Sequence, residues 1–226
     1  MDEKYRQFLE GKVTTSAGRG IDVDPSECHR SSKPHQRDMT LWALRNGTAL
    51  VAASYGLGKT HVQIDIARIL TKRYPDDKFL IVCPLGVKYQ FTMADGPRMD
   101  VSIEYVKSDA EIEASKGRIL ITNYERVRNG NIDPRKHNLI GCSLDEGSVL
   151  RSLGNRTSEV FIEVFRDVPF KFVCTATPAP NQYRELIYYA RYLGIMDHGQ
   201  ALTRWFKRDP SKAGNLQLHP QHEESF

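Results

Sequence analysis

The sequence lacks the long apolar segments that would place a chain in or across a membrane. Among its 226 residues, no apolar run approaches the roughly 20 residues that a membrane-spanning helix needs. The N-terminus, Met-Asp-Glu-Lys-Tyr-Arg, is charged and no apolar core follows it, so no secretory signal is visible. Internal repeats and low-complexity segments are also missing. These absences predict a globular protein of the cytosol.

Cysteine is scarce, and its four copies are spread too widely to form a metal-binding pair. No Cys-x-x-Cys spacing occurs, and Cys83, Cys142 and Cys174 lie in apolar, strand-like runs. Isolated thiols in such runs are typically buried and reduced. We therefore expect structural thiols here and at Cys28, and neither a disulfide framework nor a zinc site.

Charge of neither sign dominates the chain. The formal net charge is +4, with 27% charged and 40% hydrophobic residues, which is ordinary for a globular protein. The mild excess of cations is compatible with a polyanionic partner but does not require one. The length suits one sizeable α/β domain or two small ones.

From residue 34 onward, short apolar runs alternate with longer amphipathic stretches. Runs without polar alternation are typical of parallel strands that are covered on both faces, so the pattern predicts an α/β fold with a mostly parallel central sheet. Ligands of such sheets gather at the carboxyl ends of the strands. The expected strands are 48–52, 79–83, 102–106, 118–122, 139–144 and 171–175. The expected helices are 36–45, 59–73, 86–93, 109–116, 158–167 and 183–193.

The predicted domain organisation has three parts. Residues 1–32 are polar and interrupted by glycine and proline, which predicts a short helix followed by a poorly ordered arm. Residues 33–200 are expected to form the α/β domain. Residues 201–226 are expected to form a C-terminal tail, because they are too few for a second domain.

The segment 53–60, Ala-Ser-Tyr-Gly-Leu-Gly-Lys-Thr, carries the strongest functional signal. It lies between an expected strand and an expected helix, which is the context that a phosphate-binding loop requires. The glycines let backbone N–H groups point at phosphate oxygens, and the helix N-terminus adds partial positive charge. Lys59 would reach the β- and γ-phosphates, and the Thr60 hydroxyl would bind Mg²⁺. A glycine-rich turn that binds nothing is the alternative. The expected ATP-binding residues of the loop are Ser54, Tyr55, Gly56, Leu57, Gly58, Lys59 and Thr60.

Asp145 and Glu146 directly follow the apolar run 139–144. A carboxylate beside a phosphate loop suits a Mg²⁺–nucleotide site, with Asp145 holding the ion through water. Glu146 would orient or deprotonate the attacking water. Lys59, Asp145 and Glu146 are therefore the expected catalytic residues, and an exposed acidic turn is the alternative. Gly141 and Ser143 weaken the preceding run as a strand.

Polar side chains at three further positions are candidates for the same site. Thr175 and Thr177 end the strand 171–175 and would relay the nucleotide state by hydrogen bonding to the Asp-Glu turn, although a strand stopped by Pro178 is the alternative. Gln36 opens the first long helix. Its amide offers both a donor and an acceptor to the edge of adenine, and a glutamine facing water is the alternative.

Together these motifs resemble the first motor domain of superfamily-2 helicases, particularly the Swi/Snf-like translocases, including the version seen in phage and prophage helicases. Two positions depart from common patterns: Ala53 stands where many phosphate loops begin with glycine, and Ser148 stands where DEAD or DEAH proteins carry aspartate or histidine. The matching stretches are Pro-His-Gln at 34–36, the loop at 53–60, Leu-Ile-Val-Cys-Pro-Leu at 80–85, Ile-Leu-Ile-Thr-Asn-Tyr-Glu at 119–125, Leu-Asp-Glu-Gly-Ser at 144–148 and Thr-Ala-Thr-Pro-Ala-Pro-Asn at 175–181.

The resemblance implies a RecA-like P-loop NTPase of three layers, with ATP and Mg²⁺ as cofactors and nucleic acid, expected to be DNA, as partner. It implies that Gln36 reads adenine and that Thr175 and Thr177 couple the ATPase site to the nucleic-acid face. Pro84, Thr122 and Asn123 would lie on that face. Four cations flank the motifs and would grip phosphates, unless they are simply solvated: Lys88, Arg126, Arg128 and Arg151.

In this family a second RecA-like domain supplies arginine fingers, which are worth about 10³–10⁵ in rate. No such domain is visible after Asn181, so we expect the chain to bind ATP but to hydrolyse it poorly alone. The second domain would act in cis or in trans. Two alternatives stay open: an ATP-binding regulatory module that recruits a partner without translocation, and the translocase part of a restriction system.

Overall fold

A six-stranded, all-parallel sheet forms the centre of the protein. The computed structural model describes residues 20–150, 156–178, 185–208 and 216–218. The strand order is β1-β6-β5-β2-β4-β3, which confirms the predicted α/β class and the RecA-like sheet. Each expected strand is present. The strands are β1 (Thr48–Ala52), β2 (Lys78–Cys83), β3 (Glu104–Tyr105), β4 (Ile119–Asn123), β5 (Leu139–Asp145) and β6 (Phe170–Thr175).

Helices cover both faces of the sheet, so the core has two parts. Alternate residues of β2 belong to opposite cores: Phe79 and Ile81 pack in one, Leu80 and Val82 in the other. None of the described helices combines the length and apolar character that crossing a membrane requires. The helices are α1 (Pro34–Asn46), α2 (Lys59–Arg73), α3 (Asp109–Ala114), α4 (Tyr124–Arg128), α5 (Arg156–Val164), α6 (Leu186–Leu193) and α7 (His198–Trp205).

Gly141 does not weaken β5 as the sequence suggested. A Cβ at this position would lie 2.8 Å from the Phe79 ring and 3.1 Å from the Phe170 Cβ. Glycine is therefore the residue that lets the two neighbouring strands place aromatic side chains against the middle of β5. The strand is buried along its whole length.

The segment after β2 differs from the single helix predicted over 86–93. It consists of a 3₁₀ turn (Leu85–Val87), a π-helical turn (Gln90–Asp95) and one α-helical turn (Gly96–Arg98). The Gly96 N–H donates to the Phe91 carbonyl, which is the wide bond of a π-helix. A Cβ on Gly96 would lie 2.6 Å from that same oxygen, so glycine permits the wide turn.

Residues 20–32 are packed on the domain, in contrast to the poorly ordered arm expected there. The backbone N–H of His29 donates to both carboxylate oxygens of Asp65, at 3.1 and 3.0 Å. Asp65 lies on α2 and is fully buried. The segment is therefore fixed to the helix that follows the phosphate loop. Residues 1–19 lie outside the described residues.

The C-terminal region contains α7 and a two-stranded antiparallel hairpin of β7 (Phe206–Arg208) and β8 (Leu216–Leu218). A helix was expected from Trp205 to Arg208, whereas α7 ends at Trp205 and residues 206–208 form a strand of the unpredicted hairpin. Residues 209–215 and 219–226 of the predicted tail lie outside the described residues.

Candidate active site

The predicted site residues meet at one edge of the sheet because β1, β6 and β5 are neighbours. Ala52 at the end of β1 pairs with Thr175 on β6, and Cys174 pairs with Asp145 at the end of β5. The phosphate loop begins directly after Ala52. Three strand ends thus bring the loop, the Asp-Glu pair and Thr175 together, where ligands of parallel sheets bind.

The phosphate loop curls around the ammonium group of Lys59. Its Nζ donates to the Ala53 carbonyl at 2.9 Å and to the Ser54 carbonyl at 3.3 Å. Gly56 and Gly58 have φ angles of +80° and +85°, a region that favours glycine. The loop therefore presents a cation at its centre, and that cation can exchange neutral carbonyls for phosphate oxygens.

Gln36 is buried and anchors the loop to the start of α1. Its Oε1 accepts from the Lys33 N–H at 3.0 Å, and its Nε2 donates to the Leu57 carbonyl at 3.2 Å. A Cβ on Gly58 would lie 2.1 Å from Gln36 Nε2. The glutamine thus contacts the phosphate loop directly, and its role in reading adenine stays a prediction.

A cavity of about 710 Å³ lies between the loop, the Asp-Glu pair and the segment after β2. Its volume falls in the range of about 300–1,000 Å³ that is typical of small-ligand sites. Ser54 and Leu57 belong to the loop but do not line the cavity. Predicted site residues in its wall are Gln36, Tyr55, Gly56, Gly58, Lys59, Thr60, Pro84, Asp145 and Glu146.

Asp145 is buried and held by a hydrogen-bonded chain. Gln63 Nε2 donates to its Oδ1 at 2.8 Å, and the Ser143 hydroxyl donates to Gln63 Oε1 at 2.6 Å. The Tyr124 hydroxyl donates to the Asp145 backbone carbonyl at 2.7 Å. Burial raises the pKa of Asp145 above its ordinary value, because removal from water disfavours the charged form.

The donor set at this edge fits Mg²⁺. Thr60 offers a hydroxyl oxygen and Asp145 a buried carboxylate, and hard oxygen donors are the ones Mg²⁺ prefers. In the described residues no group of three or more His, Cys, Asp or Glu side chains forms a dedicated metal cage. Mg²⁺ commonly binds through one or two protein oxygens plus phosphates and water, so two donors suffice.

Glu146 occupies a conformation that is unusual for a residue with a side chain. Its φ is +49°, in the left-handed region. Its Oε1 accepts from the Thr175 hydroxyl at 3.3 Å, and the Thr177 N–H donates to that hydroxyl at 3.2 Å. A Cβ on Gly147 would lie 2.2 Å from Val173 Cγ1. The structure therefore joins the Asp-Glu turn to the end of β6 through the Thr175 hydroxyl, as predicted, while Thr177 reaches that hydroxyl with its backbone N–H; the coupling role of both residues stays a prediction.

The residues that hold Asp145 in place by hydrogen bonds were not predicted from the sequence. Gln63 lies in the expected helix 59–73 but was not among the predicted site residues. A polar residue inside a helix that is buried almost all round is the signal that would have revealed it. Tyr124 gave no such signal. Gln90, Asp95 and Arg98, which also line the cavity, were hidden by the irregular helix after β2.

The candidate nucleic-acid residues lie at the ends of β2 and β4, which pair through Cys83 and Asn123. Lys88 Nζ lies 4.9 Å from the centroid of the Tyr89 ring and 4.3 Å from that of Tyr105. The Tyr105 hydroxyl donates to Asn123 Oδ1 at 3.0 Å. Lys88, Tyr89, Tyr105 and Asn123 therefore form a continuous polar and aromatic group, which we call the Lys88 cluster.

Thr122 requires a correction. It is fully buried, and its hydroxyl donates to the Val106 carbonyl at 2.8 Å. Since this bond connects β4 to the end of β3, the side chain supports the sheet and does not reach a nucleic acid. Pro84 lines the nucleotide-sized cavity. Arg126 and Arg128 are half-buried on α4, and Arg151 lies outside the described residues.

Two kinds of comparison find proteins that are similar to this chain. No protein-family model matches the chain. The DNA annealing helicase and endonuclease ZRANB3 of Homo sapiens is 24% identical over 185 residues, covering 77% of this chain. The Bos taurus protein of the same name is 26% identical over 187 residues, covering 76%. The matched region spans 17% of the length of each relative.

Solved structures share the fold. The SWI2/SNF2 ATPase core domain of Sulfolobus solfataricus matches with a TM-score of 0.67 and 16% identity, over 82% of this chain and 40% of that one. The same core in complex with dsDNA gives 0.64. The UvsW helicase from Bacteriophage T4 gives 0.58 with 13% identity, over 87% of this chain and 66% of that one. The sheet topology agrees with these similarities, which show that this chain shares the fold of the SWI2/SNF2 ATPase core and of the UvsW helicase.

Proposed function

We propose that the chain is the ATP-binding motor domain of a DNA helicase or translocase, and that it couples Mg²⁺-ATP hydrolysis to movement along DNA. The observation that carries the proposal is that Lys59, Thr60, Asp145 and Glu146 line one cavity although they come from different strand ends. The names of the similar proteins, a DNA annealing helicase and an ATPase core solved with dsDNA, support DNA as the partner.

Each polar side chain in the cavity wall has a different role in this proposal. Lys59 exchanges its two loop carbonyls for phosphate oxygens and so holds the β- and γ-phosphates. Thr60 and Asp145 would hold Mg²⁺, which neutralises phosphate charge when bound. Glu146 orients the attacking water and accepts its proton. Its carboxylate is held by Thr175 at 3.3 Å, which leaves the second oxygen for the water.

The same hydrogen bond offers a route from the nucleotide to the rest of the domain. When Glu146 changes its bond to water during hydrolysis, its contact with the Thr175 hydroxyl changes as well. The Thr175 hydroxyl in turn accepts from the Thr177 N–H, so a shift of that hydroxyl also displaces the backbone at Thr177. We propose that this connection couples hydrolysis to the DNA-binding face.

Efficient turnover depends, in this proposal, on a second RecA-like domain in cis or in trans. The loop carries two strongly exposed apolar side chains, Tyr55 at 76% and Leu57 at 42%. Exposed apolar residues beside a ligand site are typical of surfaces that another domain covers. The partner domain would add arginine fingers, and without it hydrolysis is slower by about 10³–10⁵.

The test is Mg²⁺-ATP binding and hydrolysis, each with and without duplex DNA. We expect Lys59→Ala to weaken Mg²⁺-ATP binding at least about tenfold, because a charge-assisted contact is worth more than about 1.4 kcal/mol. Glu146→Gln should bind normally and hydrolyse about 10²–10⁴ times more slowly. Lys116, an exposed lysine before β4 at the opposite edge of the sheet, provides the matched control Lys116→Ala.

A wild-type chain that binds no Mg²⁺-ATP would overturn the proposal. Tight binding with no turnover, even with DNA and a second RecA-like domain present, would instead indicate the regulatory module that recruits a partner. Equal hydrolysis by wild type and Glu146→Gln would assign the measured activity to a contaminant.

A further inference from the structure

The segment after β2 touches both the candidate Mg²⁺ site and the surface. Gln90 Nε2 donates to the Thr60 hydroxyl oxygen at 3.4 Å and to Asp95 Oδ2 at 3.0 Å. Asp95 is buried and pairs with Arg98 at 2.8 Å. Arg98 lines the cavity. A single side chain thus connects an expected metal ligand to an irregular helical turn.

The outer side of this turn belongs to the Lys88 cluster. Gln90 directly follows Tyr89, whose side chain is 64% exposed and lies beside the Lys88 ammonium. Phe91, on the other side of Gln90, is fully buried and fixes the turn in the core. A shift of the Gln90 backbone is therefore directed outward, toward Tyr89 and Lys88.

The contact between Gln90 and Thr60 depends on what the hydroxyl binds. At 3.4 Å it is at the long end for a hydrogen bond, so little free energy is lost when it breaks. A cation on the Thr60 oxygen would occupy a lone pair and repel the positive end of the Gln90 amide N–H. When this contact breaks, the Gln90 amide keeps its shorter bond to Asp95 at 3.0 Å and can move away from Thr60. Occupation of the Thr60 hydroxyl would thus shift Gln90 toward Asp95.

The backbone around Gln90 is suited to such a change. Gln90–Asp95 is a π-helical turn, and such turns occur frequently at functional sites. Its wide bond from Gly96 to Phe91 exists because Gly96 has no Cβ. The turn is therefore an irregular element between two regular ones, where a change in side-chain bonding moves the backbone with the least loss of packing.

We infer that Gln90 is a positioning residue that links occupation of the Thr60 hydroxyl to the placement of the Lys88 cluster, so that Mg²⁺-nucleotide and DNA alter each other's affinity. The inference rests on the proposed function, because it requires both ligands to bind. It adds a second connection between the two faces, on the β2 side of the sheet, to the one through Thr175.

The experiment measures the affinity of the full chain for a fluorescent, non-hydrolysable ATP analogue with Mg²⁺, with and without saturating duplex DNA. Coupling between sites typically changes affinity about 5- to 150-fold, and we expect wild type to fall in that range. In Gln90→Ala the ratio should fall at least about threefold below that of wild type, with the remainder carried by the connection through Thr175, while the affinity for the analogue alone stays within about threefold of wild type.

Two further variants separate coupling from damage to the turn. Gln90→Asn keeps the amide but shortens its reach, so it should behave like Gln90→Ala. Thr92→Val removes a different hydrogen bond of the same turn, from the Thr92 hydroxyl to the Lys88 carbonyl at 3.1 Å, and should keep the wild-type ratio.

The possible results show separately whether the proposed function fails or only the role of Gln90. A wild type that binds neither ligand would overturn the proposed function and the inference together. A wild type with coupled affinities and a Gln90→Ala variant with the same ratio would overturn the inference alone. Equal loss of coupling in Gln90→Ala and Thr92→Val would also overturn it, because the effect would then belong to the turn as a whole.

Discussion

Gln63 offers the sharpest test of how the site is supported, because it touches Asp145 without lining the cavity. We predict that Gln63→Leu, which keeps a similar volume, lowers the free energy of unfolding by about 2.5–6 kcal/mol. About 1.5–3 kcal/mol comes from the lost hydrogen bond to the Asp145 carboxylate, and about 1–3 kcal/mol from the stranded Ser143 hydroxyl. That hydroxyl otherwise contacts the Cys174 thiol, which is a weak hydrogen-bond partner. Since domains are stable by about 5–15 kcal/mol, the loss is large.

Urea unfolding at neutral pH without nucleotide measures this loss, with circular dichroism and fluorescence followed together to check for a single transition. The double variant Gln63→Leu/Ser143→Ala is the matched control. It removes the stranded hydroxyl and should recover about 1–3 kcal/mol of the deficit. A single variant within about 1 kcal/mol of wild type would refute the reasoning, as would a double variant that recovers nothing.

Other substitutions test other contacts of the site. Burial raises the pKa of Asp145 in the folded state above its ordinary value of 3.8. Between the unfolded and the folded pKa the folded state binds more protons, so stability falls as pH rises through that window. Asp145→Asn should therefore raise the Tm at neutral pH while abolishing hydrolysis, and a lower Tm would contradict this. Gly58→Ala combines about 1–2 kcal/mol of left-handed backbone strain with a clash against Gln36. Calorimetry should show that this variant binds Mg²⁺-ATP about tenfold or more weakly. Gly56→Ala has a similar φ but open space around it, so it should weaken binding less. Tyr124→Phe removes the bond to the Asp145 carbonyl and should lower stability by about 1–3 kcal/mol and kcat more than it raises KM, and unchanged values of both stability and kcat would count against that role.

The sequence predicted the sheet well because its signals are local. Each strand is a short apolar run, and burial on both faces produces such runs wherever a parallel strand occurs. The loop at 53–60 was equally visible, since a phosphate loop is contiguous in sequence. The association of Asp145 with Lys59 followed from one rule, that the carboxyl ends of parallel strands share an edge.

Contacts between distant residues were not predictable in the same way. Gly141 looked like a defect in β5, and only the positions of Phe79 and Phe170 on the neighbouring strands explain it. Ser143 looked like a second defect, and its partner is Gln63 on α2. The irregular turn after β2 depends on the close approach of Gly96 to Phe91. In each case the cause lies in a neighbour that periodicity does not reveal.

The close fit of Gly147 against Val173 has a mechanical consequence. Because even a methyl group on Gly147 would overlap Val173, the turn that carries Glu146 rests on β6 with no free space between them. Val173 is two residues from Thr175 on the same strand. The turn and the strand are therefore in direct contact, and in the proposed motor a displacement of β6 would shift the Glu146 carboxylate. Larger residues at Gly147 would push the turn away from β6 without changing a residue that lines the cavity.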